Sequence, residues 1–255
     1  MHTREGTAVL DAQRSVLDRT DVILGAFDSE HTDLSLLGIM VRTGLPKTTV
    51  HRAVHKLVDL EWLELHEGRY SIGTRLLEFA GLSWAHAVLR RAALPTLQRL
   101  QACTRETVHL AVSNGRHIVY IEKLPGQAPM ADVTRVGARL PAYCTGLGKA
   151  ILAFSHAPPV STRPRTLAAM TPHTIVSPRA MQAELTRVQD EGVAYDREEY
   201  RLGVECIAAP LLPTNHTCTA AISITAPSHK LRLRQLAPTL RGAAADIVRA
   251  LPTAC

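Results

Sequence analysis

The tripeptide Gly44-Leu45-Pro46 does most to limit how this chain can fold. Glycine suits the left-handed residue that closes a helix, and proline suits the first turn of the next one. Apolar periodicity lies on both sides. Residues 34–43 give a short apolar helix, stopped at Gly44. From Pro46 to about Leu60, Val50, Ala53, Val54 and Leu57 fall at i, i+3, i+4 and i+7, which makes one buried face. Thr48, Arg52 and His55 point nearly opposite, with Thr49 and His51 on the flanks. Residues 15–27 supply an earlier helix through Val16, Leu17, Ile23, Leu24 and Phe27, and a polar connection follows it. Behind the third helix, residues 62–65 and 69–72 alternate around His66-Glu67-Gly68 and read as a β-hairpin. Three short helices followed by a hairpin is the order of a winged helix-turn-helix. The same pattern also fits a plain helical bundle with a solvated cationic face.

Charge bears on that choice. The chain carries 29 Lys+Arg against 23 Asp+Glu, a net of +6, and a basic balance invites a nucleic-acid partner. Residues 1–82 nevertheless hold nine basic and twelve acidic residues, so bulk charge points at the other half. The local run decides, because salt screens charges beyond about 8–10 Å. Arg42, Lys47, Arg52 and Lys56, with His51 and His55, stand between positions 42 and 56 without one acid. A B-DNA major groove admits one α-helix that exposes short polar and cationic side chains. Lys47, Thr48, Thr49, His51, Arg52 and His55 are therefore the candidate DNA-contacting residues. Arg69, at the hairpin tip, is placed along the DNA backbone or minor groove.

The rest of the chain reads as a second domain. Residues 74–103 are expected to be largely helical, with Gly81 a soft spot and Pro95 a kink or restart. Strands are expected at 107–112 and 116–123 around an Asn114-Gly115 turn, at 131–136, at 206–211 and at 219–225. Helices are expected at 146–154, 178–191 and 231–251, the last kinked near Pro238. The longest stretch without Lys, Arg, Asp or Glu, residues 206–229, contains three prolines, which argues against a membrane span. The first residues lack an apolar signal segment, and the five cysteines are odd in number and widely spaced. A cytoplasmic protein with reduced thiols and no membrane partner is expected.

Several blocks of residues together carry a resemblance. Gly44-Leu-Pro-Lys-Thr-Thr-Val-His-Arg52, with Arg69-Tyr-Ser-Ile-Gly73 behind it, resembles the IclR family of bacterial transcriptional regulators. So do Glu106-Thr-Val-His-Leu-Ala-Val112, Val136-Gly-Ala-Arg-Leu-Pro141, Thr145-Gly-Leu-Gly-Lys-Ala150, Gly192-Val-Ala-Tyr-Asp-Arg-Glu-Glu199 and Gly203-Val-Glu-Cys-Ile-Ala-Ala-Pro210. The blocks are collinear over about residues 12–251. The resemblance implies an α+β chain: a winged helix-turn-helix at 12–73, a linker helix at 74–91 and an effector-binding domain at 92–251. That last domain would be GAF-like, a curved antiparallel sheet flanked by helices. Homodimers or dimers of dimers on operator DNA are implied, as is control, expected to be repression, of a catabolic or metabolic operon. Carried over block by block, the pocket for a small organic acid falls to the Gly146-Leu147 turn, Asp196, Cys206, the hydroxyl pair Ser223 and Thr225, and Leu140 as an apolar wall. The pro-rich segment 155–165 is shorter than the family's usual stretch.

The same residues bear on other functions. Thr145-Gly-Leu-Gly-Lys149-Ala150 superficially resembles a phosphate-binding loop, but position 143 is Tyr and position 150 is Ala, so the required Gly and Ser/Thr are missing. Cys144 near Lys149 has no positioned His partner in the sequence, so no enzyme is expected. Cys206, His216 and Cys218 match no zinc spacing, so neither a metal nor any other cofactor is expected. A ligand-insensitive DNA-binding adaptor, and less so an enzyme with a helical regulatory domain, are the alternatives.

Overall fold

The computed structural model describes residues 15–28, 30–127, 134–155, 167–212, 218–228 and 233–252. The chain divides into two compact units between Trp84 and Ala85.

In the first unit, helix α1 spans Val16–Leu24. Ser15 caps it reciprocally with Asp18: the Asp18 N–H donates to the Ser15 hydroxyl, and the Ser15 N–H to the Asp18 carboxylate. Strand β1 (Asp33–Ser35) leads into α2 (Leu36–Thr43), whose Ser35 cap accepts from the Gly38 N–H at 3.1 Å. Gly44 takes φ +68°, and its N–H donates to Met40, so the expected stop is a left-handed C-cap. Pro46 caps α3 (Lys47–Asp59), and Val50, Val54 and Leu57 are its buried face. Strands β2 (Leu63–His66) and β3 (Arg69–Ile72) form the hairpin. The three strands lie in the order β1-β3-β2, with Leu34 opposite Tyr70. Sequence periodicity missed β1, because three residues leading into a helix are too few to alternate visibly. Ile23, Leu34, Ile39, Val50, Val54, Leu57, Leu63 and Tyr70 close the core from all six elements.

The expected helix over 74–103 is two helices, α4 (Thr74–Gly81) and α5 (Trp84–Thr104). The break falls just after Gly81, while Pro95 is carried inside α5. The second unit is built on a six-stranded antiparallel sheet, order β6-β5-β4-β9-β8-β7. The strands are β4 (Thr107–Asn114), β5 (His117–Leu124), β6 (Arg139–Pro141), β7 (Ala194–Arg197), β8 (Val204–Leu211) and β9 (Ala220–Pro227). Residues 134–136 are not strand, a correction to the expected 131–136; positions 131–133 lie outside the described residues. Edge strands β6 and β7 were not expected, being three and four residues long.

Helices cover both faces of this sheet. Helix α5 and the last helix, α8 (Leu233–Ala250), pack through Leu97, Leu100, Leu240 and Ile247 onto Leu110, Ile207, Ile222 and Ile224. Helices α6 (Gly146–Ala153) and α7 (Pro178–Glu191) pack through Leu147, Ile151, Met181 and Val188 onto Ala111, Ile118, Tyr120 and Ala208. A sheet sandwiched in this way needs strands apolar on both sides, which is why β8 and β9 are so poor in charge. No helix among the described residues is long and apolar enough to cross a membrane.

Candidate functional site

Each unit presents one site. In the first, α3 turns Lys47, Thr48, His51, Arg52 and His55 to solvent and leaves Thr49 half-buried. Burial of Val50, Val54 and Leu57 fixes that orientation, because the exposed set lies on the opposite side of the same helix. His51 and His55 meet one turn apart with their rings tilted by 49°, their Nε2 atoms 3.2 Å from each other. Two cations counted with this surface are engaged elsewhere. Arg42 turns back, its Nε donating to the Ala26 carbonyl at 2.7 Å and its guanidinium pairing with Asp28. Arg69 is exposed, but its guanidinium pairs with Asp33 across β1 and β3, and that hydrogen bond, helped by the charge, holds the Asp33 carboxyl below its usual range. The cationic face of α3 is thus narrower than the run of basic residues from 42 to 56.

In the second unit, strand register assembles the site. Asp196 on β7 lies opposite Cys206 on β8, and Cys206 lies opposite Thr225 on β9. Period-2 alternation turns all three to the α6 side of the sheet. There they line a cavity of about 260 Å³, together with Leu140, Gly146 and Leu147. Ser223 is one row further in, opposite Ala208 and His109, fully buried and not in the cavity wall. Its hydroxyl and that of Thr225 lie 3.5 and 3.4 Å from Nδ1 of His109, whose Nε2 is 2.9 Å from the Thr134 hydroxyl. Burial holds the His109 imidazole neutral, pushed down to about 3.

Six of the seven residues carried over for the pocket therefore share one cavity. Tyr120, Thr134, Thr145, Tyr200, Arg201 and the 202–204 segment also line it, and sequence reasoning passed over them. For residues 200–202 the only signal was adjacency, because they fill the gap between two quoted blocks. The start of α6 is crowded against the sheet. A β-carbon on Gly146 would stand 2.9 Å from Cys206 Sγ, and one on Gly148 would stand 2.1 Å from the Ala142 carbonyl oxygen. Thr145 caps the helix by accepting from the Gly148 N–H, and the Gly146 and Leu147 N–H groups, in the first turn, have no acceptor four residues back within the helix.

Beneath that turn lies a charge cluster. Lys149 is 0% exposed, with Nζ 3.0 Å from Glu184 Oε1 and 2.5 Å from Glu199 Oε1. It therefore cannot reach a phosphate in the manner of a nucleotide-binding loop. Asp196 accepts from the Glu199 N–H at 2.8 Å; burial first, then the Glu199 charge, pushes its carboxyl up to about 7. Burial pushes the Cys144 and Cys206 thiols up to about 12, so neither supplies a thiolate near neutral pH. Among the described residues no three His, Cys, Asp or Glu side chains are grouped to hold a metal ion; His216 lies outside them.

A winged helix-turn-helix with a cationic third helix, followed by an α+β unit holding a ligand-sized cavity, defines a DNA-binding transcriptional regulator. The family model of the IclR helix-turn-helix domain matches residues 16–67, and that of the bacterial transcriptional regulator IclR C-terminal domain matches residues 83–249. The chain belongs to the IclR family. It is similar to the HTH-type transcriptional regulator XynR of Escherichia coli, 29% identical over 87% of this chain and 89% of that protein. It is also similar to the transcriptional repressor AllR of the same organism, 28% identical over 97% and 95%. Among solved structures it resembles an IclR homolog complexed with 4-hydroxybenzoate from Microbacterium hydrocarbonoxydans. There the TM-score is 0.80 at 29% identity, covering 93% of this chain and 99% of that one.

Proposed function

We propose that the protein is a cytoplasmic repressor of a catabolic or metabolic operon that acts as a homodimer or dimer of dimers, with a small organic acid as effector and no catalytic activity of its own. One observation carries the effector reading: Asp196, Cys206 and Thr225, side by side on three strands, face the first turn of α6 across a cavity of about 260 Å³. Apolar walls with a few convergent polar groups suit a small molecule. The N–H groups of Gly146 and Leu147 suit a carboxylate. The homolog complexed with 4-hydroxybenzoate supports an acid of that size.

In this reading, Lys47, Thr48, Thr49, His51, Arg52 and His55 contact DNA from α3. Two copies of the helix enter successive major grooves of a near-palindromic operator. Arg69 assists at the hairpin only if DNA competes with Asp33 for its guanidinium. A ligand that favours one arrangement of the dimer by about 1–3 kcal/mol alters operator affinity roughly 5–150-fold. The raised thiols of Cys144 and Cys206 and the paired Lys149 support the absence of a nucleophile.

The test is a mobility shift with the DNA upstream of the protein's own gene, with and without a panel of organic acids. A complex weakened by an acid is expected. Ligand-insensitive binding would return the adaptor reading, and turnover of an acid would return the enzyme.

A further inference from the structure

We infer that Asp196 receives the effector's carboxylate as a neutral acid, through a shared proton, so that an anionic effector enters the cavity together with one proton drawn from water. The inference rests on the organic-acid reading above and assigns the charge the site recognises.

The charge count beneath the cavity leads there. Lys149 meets Glu184 and Glu199, and Arg187 shares Glu184 at 2.8 Å. Arg187 also pairs with Glu191 at 2.6 Å, so these two cations face three carboxylates, and among the described residues neither pairs with Asp196. Glu199 Oε2 is buried and, among the described residues, accepts no hydrogen bond, so this region already holds more negative character than its partners absorb. Asp196 is 7% exposed and is one of the residues that line the cavity.

The groups facing Asp196 are Glu199 beyond β7, Lys149 on α6, Cys206 on β8, Tyr200 and Arg201 in the β7–β8 loop, Tyr120 on β5 and Cys144 ahead of α6. Glu184 on α7 and His109 on β4 stand behind Lys149 and Thr225. Both thiols, Tyr120 and His109 stay neutral near pH 7. Only Arg201, exposed at the rim, offers the cavity wall a cation among the described residues.

A carboxylate seated on the Gly146-Leu147 turn comes close to Asp196. Even a methyl group on Gly146 would stand 3.5 Å from the Asp196 backbone nitrogen. Two ionised carboxylates so placed repel, whereas a protonated one donates a short hydrogen bond to the other. The proton comes from solvent and stays on Asp196, and no covalent bond breaks.

The full-length protein is first screened by thermal shift against acetate, lactate, benzoate and 4-hydroxybenzoate at pH 6 and pH 8. Calorimetry with an acid that binds, in two buffers of different ionisation heat, then counts protons. Uptake of about 0.9 proton per ligand at pH 8, falling to about 0.1 at pH 6, is expected, with affinity dropping roughly tenfold per pH unit above 7. Asp196→Asn should bind the acid with no proton uptake at either pH. Glu199→Gln removes the facing charge and should move the onset of uptake to lower pH, which a purely structural role would not do. Binding by the unaltered protein at pH 8 without proton uptake overturns the inference and leaves the organic-acid reading standing. The acid would then pair with Arg201 while an ionised Asp196 accepts from the ligand. No thermal shift from any of the acids at either pH overturns both.

Discussion

At the scale of single residues, the two sites separate cleanly. Arg52 is exposed on α3, and among the described residues it takes no acidic partner. Arg52→Ala should lower operator affinity by about 1–3 kcal/mol, measured by fluorescence anisotropy, while effector binding stays unchanged. Gly146 is the complementary position. Its missing side chain leaves just the room that Cys206 Sγ occupies, so Gly146→Val should abolish the effector response while operator binding persists. Lys149 is the residue on which the interior of the second unit depends. Lys149→Met leaves Glu199 without its cation and Glu184 with Arg187 alone. Removing one partner of a buried ion cluster costs about 3–5 kcal/mol, a loss that urea denaturation would register.

At the scale of elements, Gly44 ties α2 to α3. With φ at +68° and nothing among the described residues within 4 Å of where a β-carbon would stand, the strain of a side chain there is conformational and not a clash. Gly44→Ala should cost about 1 kcal/mol, seen as a lower thermal midpoint, and Gly44→Asn less. Elements with a full period were legible in the sequence: α3, α7 and the hairpin at Asn114-Gly115 lie within a residue or two of where periodicity and turn chemistry put them. Shorter pieces were not. Asp33-Leu34-Ser35 and Ala194–Arg197 are strands only because β3 and β8 offer them ladders, and no local property marks them. The pocket had the same character. Asp196, Cys206 and Thr225 come together through register across three strands, and spacing along one chain carries no trace of that. The same register sets Ser223 apart from its neighbour Thr225, although both face the same side. Family resemblance supplied those residues; the rim at 200–202, a loop without periodicity, lay beyond both.

At the scale of the whole molecule, two buried groups oppose each other in pH dependence. The imidazole of His109 is pushed down to about 3 when folded, so the unfolded chain binds more protons below about pH 6.5. Its contribution is complete above that pH and is lost progressively down to about pH 3. The Asp196 carboxyl is raised to about 7, so its contribution is complete below about pH 4 and lost as pH rises through 7. Thermal midpoints measured from pH 4 to 8 should therefore form a broad maximum. Asp196→Asn should flatten the alkaline side, and His109→Gln the acid side.

The position of β7 has a consequence for descent. It is one of the sheet's two edge strands, four residues long, and it is followed by the loop that makes the cavity rim. An outer strand has one neighbour to satisfy, and a loop has none. Lineages can therefore retune which metabolite is sensed by altering this margin, while β4 and β9 in the middle keep the shared architecture intact.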